Sequence, residues 1–280
     1  FNGTMWTGEE VAIAKLDALY VGIGYPDQWE EENYEVKPDD IIGNLWRSRE
    51  AKYQRERALI GTIVDHKRWC MAPQTINAVN LPLQNSLNFP AAILQIPSFD
   101  AHAPAAANYG AIGAVIGHEI SHTFDSEGSA FDSKGRLRNW WTKDDFAHFN
   151  AVAARLVAQY DAYKPFPDLA LNGKQTLAEN IADDAGLTAA YDAYKSSLKG
   201  QAAPEQDGFN GDQQFYLAYA QSWAAKLRDS ALRNEVMTDT HSPDHWRVFE
   251  VRNQNEWYKA FDVKPDEKLY LAPKDRVQIW

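Results

Sequence analysis

Apolar residues recur at helical spacing over most of this chain, but one block, 105–125, is apolar almost all round. No charged side chain occurs from Tyr109 to Gly117, and then His118, Glu119 and His122 arrive together. Upstream, the periodicity predicts a helix over 8–23 with Val11, Ala14, Leu16, Leu19 and Tyr20 on one broad stripe, closed by Gly22, Gly24 and Pro26. An acidic loop containing Pro38 covers 27–40, and a highly charged helix with Trp46 follows over 41–60. Segments 75–80 and 86–95 read as two strands around a turn at Leu81-Pro82, with Pro90 confining the second to a sheet edge or a strand start. Downstream, Thr142 and Asp145 resemble a capping box opening a helix over 143–162, and Pro165 and Pro167 mark the connection after it. A helix over 212–232 places Phe215, Tyr219, Trp223 and Leu227 at steps of four, a stripe more often core than pocket. A last helix is expected over 244–261. The tail carries Leu269, Tyr270, Leu271, Ile279 and Trp280, apolar enough to pack back onto the body.

The chemistry is concentrated in the apolar block. Residues i and i+4 share a helix face, so His118 and His122 aim their imidazoles at one point, where two nitrogens can hold a zinc ion. Glu119 projects about 100° around the helix from His118, which sets a carboxylate beside the metal without making it a ligand. That arrangement suits a base taking a proton from a water that the metal activates. A surface helix with two unrelated histidines would be polar on one side, and this one is not.

A second stretch, 173–187, reads as a largely buried helix through Ala178, Ile181, Ala182, Ala185 and Leu187, with Glu179 and Asp183 on one face. These carboxylates could form a salt-bridged surface face. On a buried helix they need partners, and a metal with its histidines supplies both. Glu179 would be the third ligand, leaving a fourth position for water. Asp183 would accept the distal N–H of one ligand histidine, and Asp125, one turn beyond His122, would serve the other. The two strands leave a plainer choice open. They form an ordinary hairpin packed on a helix, or an edge on which an extended peptide docks as an added strand. His241, in a loop six residues before Arg247, is of a kind more often incidental than functional.

Length and charge narrow the classes further. The chain has 280 residues, 45% of them hydrophobic, which allows one large domain or two small ones with ample core. The division expected is a helical segment over 1–70 leading into a catalytic domain over 71–280, the two forming one continuous domain. A net charge of −11 argues against nucleic acid as a partner. No stretch of 18 apolar residues is present, so no membrane segment is expected in this chain. Cys70 is the single cysteine and reads as a small buried hydrophobe. The opening Phe1-Asn2-Gly3-Thr4 reads as the interior of a longer polypeptide.

Specific motifs carry a family resemblance from about residue 12 to the C-terminus. They are Gly24-Tyr25-Pro26-Asp27, Ile76-Asn77-Ala78, Phe89-Pro90-Ala91-Ala92-Ile93-Leu94-Gln95, Asn108-Tyr109-Gly110-Ala111-Ile112-Gly113, His118-Glu119-Ile120-Ser121-His122-Thr123-Phe124-Asp125, Asn139-Trp140-Trp141, Glu179-Asn180-Ile181-Ala182-Asp183 and His241-Ser242-Pro243. Together they resemble the catalytic part of neprilysin-like zinc metallopeptidases of family M13. The resemblance implies an α+β, mainly helical zincin of thermolysin-like type with a small sheet whose edge strand faces the cleft. It implies a zinc-dependent endopeptidase acting on oligopeptides, with one Zn2+ per chain. His118, His122 and Glu179 match the family's zinc ligands and Glu119 its general base. Asp183 matches a carboxylate behind the ligands or a proton donor. His241 matches the histidine that stabilises the oxyanion. Asn77 and Ala78 match residues bonding the substrate backbone, and Arg247 an arginine holding a substrate carbonyl. Trp223 and Val115 fall where the pocket after the scissile bond is lined. The family's chains are more than twice as long, and a helical N-terminal lobe that caps the cleft lies mostly outside this sequence. Their location outside the cytoplasm, secreted or periplasmic, extends here by analogy. Two other functions fit the same residues: a catalytically idle zinc-binding fragment, and a peptide-binding module using the edge strand.

Overall fold

A computed structural model describes residues 9–31 and 33–279. Gly8, the expected start of the first helix, lies outside these residues, as do Phe1-Asn2-Gly3-Thr4 and Trp280. Helix α1 (Glu9–Asp17) gives way to strand β1 (Tyr20–Gly24), so the stripe expected to continue to residue 23 is split. Val21 and Ile23 are β-branched and alternate with glycines, a poor helix sequence, and the strand pairs in parallel with β3 (Ser86–Pro90), Ile23 against Phe89. The inward face of α1 also differs from the expected one. Ala12 and Lys15 are buried, while Val11, Ile13 and Leu16 are exposed.

Helix α2 (Ile41–Ala58) starts where Asp40 accepts a hydrogen bond from the Gly43 N–H at 2.8 Å, and it buries none of its side chains. Cys70 is exposed, contrary to the buried role expected of it. It sits in an irregular segment, and its backbone N–H donates to Asn88 Oδ1 of the sheet at 3.4 Å.

Strands β2 (Val79–Leu81) and β3 (Ser86–Pro90) are antiparallel, and the sheet order is β1-β3-β2. The proline-bearing strand is therefore central and wholly buried. Pro90 is tolerated because it ends the strand, where its missing N–H interrupts nothing further along. The outer strand next to the helices is β2, donating its Asn80 side chain to the Glu119 carbonyl.

The apolar block forms α3 (Ala105–Asn108), a π-helical turn (Tyr109–Gly113) and α4 (Ala114–Ser121). There follow α5 (Lys143–Asp161), α6 (Leu177–Ser197), α7 (Gly211–Ser222), α8 (Asp229–Thr238), α9 (Asp244–Arg247) and α10 (Asn255–Phe261). Thr142 caps α5, its hydroxyl accepting from the Asp145 N–H at 3.2 Å. The single helix expected over 212–232 is two, because α7 stops at Trp223. That ring lies 3.9 Å from the Arg247 guanidinium, while Leu227, the next residue of the apolar stripe, is exposed. The expected helix over 244–261 is likewise interrupted by a 3-10 stretch, Val248–Asn253.

Three apolar clusters hold these elements. Tyr191, Tyr194, Phe215 and Tyr219 join α6 to α7. Leu156, Tyr160, Ile181, Val277 and Ile279 join α5 and α6 to the tail, which packs back through Val277 and Ile279. Leu87, Phe89, Ile93 and Ile112 seat the sheet beneath the π turn. The fold is mainly helical with one small three-stranded sheet, as expected from the sequence.

Helices α4 and α6 pack backbone against backbone. A Cβ on Gly117 would stand 2.3 Å from the Gly186 carbonyl oxygen, and one on Gly186 would stand 2.3 Å from the His118 backbone nitrogen. Two glycines let the backbones approach until side chains of α6 reach those of α4. Gly186→Ala is expected to force the helices apart at a cost of about 1–3 kcal/mol, the usual range for overpacking. Urea denaturation of the metal-free variant checks that loss.

Candidate metal centre

Helix α4 carries His118 and Glu119 and ends on His122; α6 presents Glu179 and Asp183 across the glycine contact. The Nε2 atoms of His118 and His122 lie 2.9 Å apart. Glu179 Oε2 is 3.2 Å from the first and 3.4 Å from the second. Each imidazole is fixed from behind. His118 Nδ1 lies 2.7 Å from Asp183 Oδ1, and His122 Nδ1 lies 2.6 Å from Asp125 Oδ2. Carboxylates only accept, so both rings place a proton on Nδ1, which leaves Nε2 as the nitrogen each can offer to a cation.

Two ring nitrogens and a carboxylate oxygen therefore converge on one point. Among the described residues these three form the group able to hold a metal ion. Glu179 Oε2 is buried and makes no hydrogen bond. Tetrahedral ligands at 2.0–2.1 Å from zinc stand about 3.3 Å from one another, close to the spacing here. The donor set, two imidazoles and one carboxylate, is one that zinc accepts.

The electrostatics make the same demand. Burial alone would lower the pKa of His122, but Asp125 and Glu179 raise it to about 10. His118 is raised likewise, against its burial, chiefly by Asp183. Burial would push the Glu179 carboxyl up, yet the imidazoles of His118, His122 and His241 hold it far below the usual carboxylate range. Without a cation the cluster balances its acceptors by taking up protons, a balance that a divalent ion could supply instead. Asp183 keeps its charge for a separate reason. Burial opposes it, but the Arg247 charge and His118 bring its pKa to about 2.

Every residue singled out from the sequence borders one cleft of about 520 Å³. Glu119 lines it beside the three ligand candidates, 7% exposed, and burial raises its pKa. Asn77 and Ala78 lie just before β2 rather than within it and line the cleft, as does Trp223; Val115 is half-buried on α4. His241 places Nε2 3.1 Å from Glu179 Oε2. Arg247 is engaged more deeply than a residue reserved for substrate. Its Nε donates to Asp183 Oδ2 and its Nη2 to Asp183 Oδ1, both at 2.7 Å.

Three contributors were not found from the sequence. Asp239 accepts from both the backbone N–H and Nδ1 of His241 at 2.8 Å. An aspartate two residues before a histidine is an Asx-turn signal that could have been read. Asn80 donates to the Glu119 carbonyl at 2.7 Å and to Thr123 Oγ1 at 2.8 Å, tying the outer strand to the end of α4. The Arg247–Asp183 pair joins residues 64 apart, with no local signal.

Comparison with known proteins bears on this geometry. Residues 77–277 match the model of peptidase family M13. The chain is 40% identical over its full length to a neutral endopeptidase of Lactobacillus helveticus, covering 42% of that protein. It is 35% identical to human endothelin-converting enzyme-like 1, with 96% of this chain and 36% of that protein covered. The crystal structure of a zinc metalloprotease of Mycobacterium tuberculosis in complex with inhibitor superimposes with a TM-score of 0.94 at 42% identity, covering 99% of this chain and 43% of that one. The chain thus spans less than half the length of these relatives. With that match extending over both helices that build the cluster, the chain belongs to peptidase family M13.

Proposed function

We propose that this chain carries a zinc-dependent endopeptidase centre that hydrolyses peptide bonds of oligopeptides. The observation supporting it is the convergence of His118 Nε2, His122 Nε2 and Glu179 Oε2 on one point, with the Glu119 carboxylate beside them in a peptide-sized cleft. These three residues would hold one zinc ion. A zinc ion there supplies a Lewis acid for the scissile carbonyl and lowers the pKa of water.

The protein's own groups do the rest. Glu119 takes a proton from the attacking water and passes it to the leaving amine. His241, anchored to Asp239, donates from Nε2 to the oxyanion that forms on the carbonyl. Arg247 uses Nε and Nη2 on Asp183, which orients His118, and offers its remaining nitrogen to a substrate carbonyl. Asn77 and Ala78 bond the substrate backbone in extended form, and Val115 and Trp223 line the pocket for the residue after the cleaved bond. By family analogy the protein works outside the cytoplasm, and a helical lobe elsewhere in the polypeptide caps the cleft. Among the described residues no helix is long and apolar enough to cross a membrane.

Metal removal tests the proposal. An internally quenched oligopeptide is expected to be cleaved by the zinc-loaded chain, cleavage to stop after dialysis against a chelator, and one equivalent of zinc to restore it. A zinc-loaded chain that binds the peptide but leaves it intact would favour the binding module. One that holds zinc and neither binds nor cleaves would be an idle centre.

A further inference from the structure

Lys15 lies on α1, outside the residues matched to the family, yet it is among the most buried side chains of the protein at 1% exposure. Burying an ammonium is costly unless acceptors surround it. Its Nζ donates to the Thr123 carbonyl at 2.6 Å and to the Gly128 carbonyl at 2.7 Å. The rings of Phe124 and Trp140 flank it at 5.6 and 6.0 Å. Its own carbonyl accepts from Asn85 in the turn between β2 and β3 at 3.0 Å. Desolvation pulls its pKa down to about 8, with Asp125 and Asp132 opposing, so the ammonium is charged at neutral pH.

The two carbonyls bracket Asp125. One oxygen of that carboxylate accepts from the backbone N–H groups of Glu127 and Gly128, each at 2.7 Å, and the other accepts from His122. The segment 123–128 is thus drawn closed around Asp125 from within by the carboxylate and from outside by one cation. Thr123 is gripped twice, its carbonyl by Lys15 and its hydroxyl oxygen by Asn80.

The geometry points to Lys15 as a positioning residue for the metal centre: by tying the Thr123 and Gly128 carbonyls together, it holds Asp125 where it fixes the His122 ring. The N-terminal helix then contributes to zinc retention without touching the ion or the substrate. This rests on the zinc reading given above. A purely structural lysine would anchor α1 and nothing more, and its loss would lower stability without a selective effect on metal.

Lys15→Met keeps the chain length and apolar stem and removes the donors. Its zinc affinity, measured by competition with a chromophoric chelator, is expected to fall about 10- to 100-fold, as it does when a group orienting a metal-bound histidine is removed. The visible spectrum of its Co2+ form is expected to differ from that of the unaltered protein. Ala12→Gly loosens the same helix and is expected to lower Tm while leaving zinc affinity unchanged. If Lys15→Met yields no folded protein, Lys15→Arg, which keeps charge and donors, is expected to hold zinc nearly as well as lysine, and Lys15→Gln to lose affinity. Unaltered affinity in Lys15→Met, an equal loss in Ala12→Gly, or equal affinities of the Arg and Gln variants would overturn the positioning role. An unaltered chain that takes up no zinc would instead remove the metal reading beneath it.

Discussion

Glu119→Gln is expected to leave zinc bound and to lower kcat by about 10²- to 10⁴-fold, the contribution typical of a positioned general base. The Glu119 carboxylate stands next to the ligand cluster but is not part of it. The amide that replaces it is nearly isosteric, so packing and metal affinity are preserved while the ability to accept a proton is lost. KM is expected to change little, because Glu119 acts on the water and not on the peptide. Burial raises the pKa of this carboxyl, and the charges of His118 and His122 oppose the rise. A base works only when deprotonated, so kcat/KM of the unaltered chain is expected to fall as pH drops through that raised value, and the residual rate of Glu119→Gln is expected to lack this acidic limb. Steady-state kinetics on one quenched peptide, with zinc content measured on the same samples, reads both effects. Full turnover by Glu119→Gln would exclude Glu119 as the base.

The site was legible where its partners are close in sequence or share a helix face. His118 with His122 and Glu179 with Asp183 are both pairs four apart, and the absence of charge before His118 marked α4 as buried. What brings the pairs together was not legible. A glycine inside a helix by itself only weakens it, and nothing local marks Gly117 and Gly186 as the place where the two backbones meet. Nothing local marks Lys15 as buried, since lysines on amphipathic helices usually face solvent, and the carbonyls it binds lie 108 and 113 residues away. The same gap explains β1. Alone it continues the stripe of α1, and only its pairing with β3, distant in sequence, makes it a strand. Pro90 was read as marking a sheet edge or a strand start, which is a local rule; its place at the last residue of a central strand depends on what lies on either side. His241 and Arg247 were found through family resemblance, since a loop histidine and a helix arginine have no spacing that ties them to α4.

Glu179→Gln is expected to weaken zinc binding by about 10²- to 10³-fold and to abolish turnover at zinc concentrations that saturate the unaltered chain. Binding of structural zinc by four protein ligands has an apparent free energy of about 10–16 kcal/mol, or about 3–4 kcal/mol for each ligand. The amide oxygen of glutamine keeps some coordinating ability but has no charge, so the loss falls at or below one ligand's share. The two histidines remain, held by Asp183 and Asp125, and excess zinc is expected to restore part of the activity. The metal-free variant changes in a second way. In the unaltered chain the Glu179 charge helps to raise the pKa of His122 to about 10 and is the largest cause raising that of His241. A histidine with a raised folded pKa contributes stability that is present at low pH and is lost as pH rises through the folded value. Removing the carboxylate therefore costs metal-free stability most below the unfolded histidine value of about 6.5 and progressively less toward pH 10. Competition dialysis gives the zinc loss, and urea melts of both metal-free proteins at several pH values give the stability difference. A variant that binds zinc as tightly as the unaltered chain would remove Glu179 from the ligand set, and with it the centre built from α4 and α6.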